Sequence, residues 1–391
     1  MMKSLLDREI GTQPSYIIRK QVIERKLESF QLSTLKGFHT EHGGPIMTLA
    51  LDNVQQRYLL SGGADAEIRL YDLGKNTAQL REPRITIRSK KRELKCRNAG
   101  HEFTVTGINW SPHSWKLFTT SSMDKTVKCW DSNYMVPVHT FDLKSHVYSH
   151  AMSPRVRNGL VASALGDHFI RMCDIRHKVA VLTLSGHYKS VISVQWSPLF
   201  HNMLASAGED GTVRLWDIRN PLRCLVSLDY TNEGSPTSAR NVGHTAPVNG
   251  LTFTHDGLHL LSTGQDNTLR LWDVYQGTNV LVEYGGELVN KARLCVTLAL
   301  TKSDKCIPSL VFHPTSDGRI LIYDLFDGTL HDRLHGPMSS INCVIWKQHN
   351  QELYSGDGDK RILVWRSKVE EQENEDVCVE MNEQDAWSDY E

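Results

Sequence analysis

The chain has little of what most specialised folds need. Its eight cysteines (Cys96, Cys129, Cys173, Cys224, Cys295, Cys306, Cys343 and Cys378) stand no closer together than eleven positions. No CxxC clamp therefore exists for zinc or redox work, and reduced, mostly buried thiols are expected. Apolar runs such as Val296–Leu300 fall far short of the ~18–20 residues a membrane span requires. Asp7, Arg8 and Glu9 interrupt the one stretch that could open a signal peptide, so the chain is expected to stay inside the cell, in solution and off the membrane. There is no GxxxxGK[ST], HExxH, GxSxG or GxGxxG. Nothing calls for a cofactor or a metal, and catalysis is not expected. The one glycosylation sequon, Asn109-Trp110-Ser111, precedes Pro112 within a strand-like stretch and is discounted.

What is present is ordinary core material and an uneven charge. The 391 residues are 40% hydrophobic and carry 44 Lys+Arg against 45 Asp+Glu, enough for a large core. Residues 369–391 hold ten acids and no base, which leaves +9 on the rest. Such a tail cannot bury enough apolar surface to order itself. A second run, Arg81–Arg97, holds eight bases and two acids. It reads as a solvated connecting loop, with a nuclear import signal around Lys90–Arg92 as the sharper alternative.

Self-comparison settles the architecture. Leu70-Tyr71-Asp72, Cys129-Trp130-Asp131, Met172-Cys173-Asp174, Leu215-Trp216-Asp217, Leu271-Trp272-Asp273, Ile322-Tyr323-Asp324 and Val364-Trp365-Arg366 form one series. Their third positions lie 59, 43, 43, 56, 51 and 42 residues apart. The short intervals match the roughly 40–45-residue WD repeat, and the long ones need only loop insertions. A small-residue strand and an acidic turn precede each aromatic, most cleanly in Ser206–Asp217. Gly100-His101, Gly186-His187, Gly243-His244, His42-Gly43 and His335-Gly336 stand further upstream. His101, His187 and His42 precede Asp124, Asp210 and Asp65 by 23 residues, and His244 precedes Asp266 by 22.

Regular His–Asp pairing suggests catalysis or metal binding, but at least four equivalent copies argue against one privileged site. In WD repeats the turn Asp, the His, a strand Ser or Thr and the Trp (here Trp130, Trp216 and Trp272) resemble a hydrogen-bonded chain tying the strands of a blade. The expected fold is all-β: a seven-bladed WD40 β-propeller over residues 28–368, with degenerate third and sixth blades. Glu28–Lys36 is expected to supply the outermost strand of the last blade and close the ring. Residues 1–27 read as a helix–turn–helix docking arm, because Ile17, Ile18, Val22, Ile23 and Leu27 recur at helical spacing. Residues 369–391 read as a disordered acidic tail.

Trp216-Asp217-Ile218-Arg219 is a WDxR box, and Cys173-Asp174-Ile175-Arg176 repeats its frame one blade earlier. Beside an orphan amphipathic arm, this pair resembles the receptor subunits that dock on DNA damage-binding protein 1 within cullin 4 ubiquitin ligases. The whole chain is similar to the Cockayne syndrome group A family of WD-repeat substrate receptors. The residues that carry the resemblance are His42-Gly43-Gly44, Val147-Tyr148-Ser149-His150, Met152-Ser153-Pro154, Val248-Asn249-Gly250-Leu251, Asp256-Gly257-Leu258-His259-Leu260-Leu261, Gln351-Glu352-Leu353-Tyr354-Ser355-Gly356 and Asp385-Ala386-Trp387-Ser388.

The resemblance implies a non-catalytic subunit of a nuclear ubiquitin ligase acting in transcription-coupled nucleotide excision repair. Asp217, Arg219, Asp174, Arg176 and the arm residues Leu5, Leu6, Ile17, Ile18 and Val22 would bind DNA damage-binding protein 1. That protein would bridge to cullin 4 and its RING subunit. The opposite face would hold a Cockayne syndrome group B-like ATPase and stalled RNA polymerase II. No aromatic–basic interleaving marks a nucleic-acid groove, so direct nucleic-acid contact is not expected. A scaffold in another nuclear assembly, for chromatin or RNA processing, is the alternative.

Overall fold

The computed structural model describes residues 29–33, 38, 42–74, 82–87, 100–154, 159–233, 241–302, 309–336 and 339–368. The N-terminal arm, the acidic tail, and most of the basic run lie outside the described residues. Among the described residues every named element is a strand, and these 28 strands group into seven antiparallel sheets of four. These sheets are blades 1–7, built from residues 46–87, 105–142, 147–184, 191–228, 248–279, 299–335 and 341–367 in turn.

Blade 4 shows how the sequence makes a blade. Its strands are Val191–Trp196, Met203–Gly208, Val213–Asp217 and Val226–Leu228, paired in that order from the channel outward. The second strand ends in four small buried residues, Ala205-Ser206-Ala207-Gly208, which lets neighbouring blades approach closely. Alternation sends Leu204 and Trp216 toward blade 3, and Ala205 and Leu215 toward blade 5. The same rule holds around the ring. Each of the seven hydrophobic clusters joins two adjacent blades, so the core is a circle of seven interfaces rather than one central mass.

Phe30–Leu32 closes the circle by pairing antiparallel with Ile362–Ser367, Phe30 opposite Ser367 and Leu32 opposite Trp365. The closing strand falls inside the expected Glu28–Lys36 stretch. Closure matters physically because an open ring would expose two apolar interfaces and a free sheet edge at once. Phe30 joins the cluster between blades 6 and 7 and lies 6.0 Å from the Trp346 ring.

The innermost strands surround a channel. A cavity of about 200 Å³ there is lined by Thr106, Ser149, His150, Gln195, Cys295 and Val344 among others. The five described cysteines are free thiols. Asn109 sits inside the strand Val105–Ser111 and donates Nδ2–H to the His150 carbonyl at 2.6 Å. No described helix is long and apolar enough to cross a membrane.

Candidate docking surface and blade tetrads

The repeated histidines sit at one end of the blades, where the second strand turns into the third. In blade 4, His187 Nδ1 lies 3.0 Å from Asp210 Oδ2, and Nε2 lies 2.7 Å from Ser206 Oγ. Trp216 Nε1 is 2.7 Å from the same Ser206 oxygen. Blade 5 repeats this with His244, Asp266, Ser262 and Trp272 at 3.0, 2.7 and 2.8 Å. Blade 2 does so with His101, Asp124, Thr120 and Trp130 at 2.7, 2.6 and 2.8 Å. In blade 1, His42 contacts Asp65 at 2.9 Å and Ser61 at 2.8 Å, with Tyr71 in the aromatic position.

Donor chemistry fixes the direction of each chain. An indole N–H can only donate, so the Ser or Thr oxygen accepts from Trp and turns its own proton toward His Nε2. Nε2 must then accept, which places the imidazole proton on Nδ1, and Nδ1–H donates to the Asp carboxylate. A neutral histidine satisfies every partner, and burial pushes the pKa of His101, His187 and His244 below the ordinary value despite the nearby carboxylates. Burial works against charge on Asp210, but bonds from His187, the Tyr188 amide and Thr212 prevail and hold its carboxyl well below the usual range. Asp124 and Asp266 behave alike.

Both nitrogens of each ring are thus committed within the blade. Among the described residues, one trio has cation-binding spacing, His42, Asp65 and Glu67. It is the blade 1 version of this arrangement, with Glu67 held at 2.6 Å by the buried Arg69. Replacing Ser206 with Ala is expected to cost about 1–3 kcal/mol, because Trp216 Nε1 and His187 Nε2 both lose their buried partner. Urea unfolding of the variant against wild type measures it.

Blade 7 departs from the pattern. Trp365 donates to Ser355 at 2.8 Å, but His335 lies exposed on the outer strand of blade 6. Gly336 stands against the Trp365 ring as Gly186 stands against Trp216. In blades 2, 4 and 5 the tetrad histidine directly follows a glycine, whereas in blade 7 the residue after Gly336 is Pro337, and His335 is not part of a tetrad. Burial, unopposed by an imidazole, pushes the Asp357 carboxyl upward.

Two further histidines bridge blades, and repeat spacing did not single them out. His150 of blade 3 contacts Thr119 and Ser121 of blade 2 at 2.9 and 2.8 Å. His313 of blade 6 contacts Thr263 of blade 5 at 2.8 Å. They replace no turn partner: His150 ties the inner strand of blade 3 to the second strand of blade 2, and His313 ties the second strands of blades 5 and 6.

Asp174 and Asp217 lie at the opposite end of the blades from the tetrads, where the third strand turns into the outer one. Asp217 Oδ1 accepts the Arg219 amide at 3.0 Å, and Asp174 Oδ1 accepts the Arg176 amide at 2.8 Å. Asp72, Asp131, Asp273 and Asp324 accept the equivalent amides of Gly74, Asn133, Tyr275 and Phe326 at 2.8–2.9 Å. The aspartate of the box therefore has a turn-capping job in six blades.

The arginines are what differ. Arg219 folds back on Asp217, with Nε at 3.0 Å, yet its side chain remains 73% exposed. Its guanidinium, ahead of an opposing burial effect, holds the Asp217 carboxyl below the usual range. Arg176 is also exposed, 3.8 Å from Asp174, whose nearer ionic partner is His177 at 2.7 Å. A cavity of about 480 Å³ opens beside Arg219, lined by Leu199, Phe200, Met203 and Leu225. Leu222, three residues after Arg219 in the chain, is 85% exposed. Leu199, Phe200, Leu222 and Leu225 lie between strands and carried no periodic signal in the sequence. The arm residues Leu5, Leu6, Ile17, Ile18 and Val22 lie outside the described residues.

A ring of seven four-stranded blades, six with Trp or Tyr at the anchor position and four with a His–Asp turn lock, defines a WD-repeat β-propeller. The WD domain, G-beta repeat model matches residues 92–131, 178–217, 237–273 and 328–366. Over its full length the chain is 30% identical to the full length of WD repeat-containing protein ATCSA-1 of Arabidopsis thaliana. The chain belongs to the WD-repeat family.

It is also 26% identical, over 62% of its length, to 54% of the histone acetyltransferase type B subunit 2 of Candida glabrata. With human pre-mRNA-processing factor 17 it shares 26% identity over 46% of its length and 28% of that protein. It thus spans about half or less of these two relatives. WD-repeat propellers generally serve as non-catalytic scaffolds or adaptors, and the committed tetrads fit that role.

Proposed function

We propose that the chain is the substrate-recognition subunit of a cullin 4–DNA damage-binding protein 1 ubiquitin ligase, acting in the nucleus in transcription-coupled nucleotide excision repair. The observation that supports this reading is the end-to-end alignment with the Arabidopsis protein. Generic repeat similarity covers part of a propeller, as in the other two relatives, whereas this alignment runs through the regions outside the repeats as well. The exposed Arg219 and Arg176 on neighbouring blades supply planar guanidinium heads suited to an interface anchor.

In this reading the propeller transforms no substrate. It holds a target, such as a Cockayne syndrome group B-like ATPase or stalled RNA polymerase II, near the ubiquitin-charged enzyme carried by cullin 4 and its RING subunit. The rate gain comes from effective concentration and orientation. The partial matches to a histone acetyltransferase subunit and a pre-mRNA-processing factor favour the second reading, a scaffold in another nuclear complex.

Purified DNA damage-binding protein 1 tests the proposal. Arg219→Glu is the informative substitution, because it reverses the exposed charge and leaves the Asp217 cap in place. Binding is expected to weaken about thirtyfold, as for an interface anchor worth roughly 2 kcal/mol, while the unfolding midpoint stays at the wild-type value. A wild-type chain that does not bind DNA damage-binding protein 1 removes the ligase reading and leaves the scaffold one.

A further inference from the structure

The outward edges of the blades are not treated alike. The outer strands of blades 1, 4 and 5 and the closing strand of blade 7 are two or three residues long: Ile85–Ile87, Val226–Leu228, Thr278–Asn279 and Phe30–Leu32. Blade 6 has a long outer strand, Leu330–His335, that carries Asp332 and Arg333. Blade 2 has Val136–Asp142, interrupted by Pro137 and ending in an acid. Shortness, charge and proline are the devices that stop one sheet edge from pairing with another chain.

Blade 3 uses none of these three. Its outer strand is Val179–Leu184, Val-Ala-Val-Leu-Thr-Leu, with no charge and no proline. Val179 and Val181 are 52% and 55% exposed, and Ala180 and Thr183 are exposed as well. The strand is outermost in its sheet, and among the described residues no further backbone bond occupies its free edge. Beside it, Val136 and Val138 of blade 2 are each 50% exposed, and the Lys178 backbone lies within hydrogen-bonding reach of His139.

We propose that the edge Val179–Leu184 is a β-augmentation site for an extended, β-branched segment of a partner protein that carries an acidic residue at one end. The apolar edge accounts for the extended segment: main-chain bonds supply affinity, and Val179 and Val181 receive alternate side chains. Charge accounts for the acid. The turn leading into the strand is Arg176-His177-Lys178, and residues 175–189 contain no Asp or Glu. The carboxylate that precedes the turn in the sequence, Asp174, is already occupied by two turn amides and His177. This site adjoins the proposed docking surface, which uses Arg176 of the same turn, but its edge strand and Lys178 lie outside that surface and carry the tests.

Blade 2 supplies the test substitution. Pro137 stands opposite Trp130 as Ala180 stands opposite Cys173, and in both blades the next residue is bulged out. A blade of this fold therefore tolerates proline at that register, where it removes an outward N–H. A random octapeptide phage library is selected on the full-length chain, and the enriched sequences are re-measured as fluorescein-labelled peptides by anisotropy. The expected winners alternate β-branched residues and end in Asp or Glu. Ala180→Pro is expected to weaken them at least tenfold without moving the melting temperature, and Lys178→Glu to weaken them while favouring basic ends.

Should Ala180→Pro fold poorly, the pair Val179→Lys and Val181→Lys takes its place, with the same loss expected. Winners lacking alternation and acids, or winners that bind the folded edge variants as tightly as wild type, overturn the proposal. So does a concentration-dependent dimer abolished by the edge variants, since the occupant would then be a second copy of the chain.

Discussion

Lowering the pH from 7 to about 4.5 is expected to strip several kcal/mol of folding stability from this protein. The cause is histidine buried in neutral form. His150 is enclosed between blades 2 and 3, and burial lowers its pKa from 6.5 to about 3. His313, between blades 5 and 6, falls from 6.5 to about 4 for the same reason. In the unfolded chain both rings take up a proton as pH drops through 6.5; in the folded chain neither does until pH 4 or below. The unfolded state then binds more protons, so unfolding becomes easier with each step down in pH.

Two such groups give a slope of roughly 3 kcal/mol per pH unit below pH 6. His101, His187 and His244 shift in the same direction and add to it. The tetrad carboxylates act at lower pH. Their contribution is complete above the unfolded value near 4 and fades only as pH falls further. Urea titrations at half-unit intervals measure the slope. His150→Gln should flatten it by about 1.4 kcal/mol per pH unit, one proton's worth. A stability that is level from pH 6.5 to 4.5 would show these rings to be solvated.

The second large effect is expected at the blade that closes the ring. Glu352 is fully buried in blade 7. Arg366 Nε lies 2.8 Å from one of its oxygens, Lys347 Nζ lies 4.0 Å from the other, and the Tyr354 hydroxyl donates to it. Arg366 belongs to the strand that pairs with Phe30–Leu32. Glu352→Ala would leave two cations in a low-dielectric interior without their carboxylate. Breaking a buried ionic group from one side costs about 3–5 kcal/mol, far more than the net worth of the intact pair. Glu352→Gln keeps the shape and one hydrogen-bond acceptor, so a smaller loss is expected. Calorimetric melting of both variants ranks them, and equal melting temperatures for Glu352→Ala and wild type would contradict the assigned role.

Much of this fold was legible in the sequence because repetition is a strong signal. Seven anchors at near-regular spacing, five of them an aromatic followed by Asp, fixed the blade number, and the 22–23-residue His–Asp interval corresponds to a bond made four times over. Where the reading slipped, a local order mattered that spacing does not encode. His335-Gly336 has the right composition, but Gly336 stands against Trp365 as Gly186 stands against Trp216, and the next residue is Pro337 where blade 4 has His187, so His335 is left outside.

Other features depend on neighbours remote in the chain. His150 and His313 are single histidines in strands, and their partners stand 29–31 and 50 residues away. The stacking of Arg214 over Tyr188 and of Arg270 over Tyr230, at 5.6 and 4.5 Å, likewise arises only when loops and strands meet. The candidate docking residues were half legible. Asp-x-Arg could be seen twice, but the sequence could not show that the aspartate caps its turn in six blades, leaving the arginine as the distinctive group.

Affinity purification of the full-length chain from cells, with mass identification before and after ultraviolet damage, tests most directly whether this closed propeller works as a ligase adaptor. The account predicts DNA damage-binding protein 1, cullin 4 and its RING subunit in both samples, with RNA polymerase II enriched after damage. Histone-modifying or pre-mRNA-processing complexes in their place, with no DNA damage-binding protein 1, would contradict it.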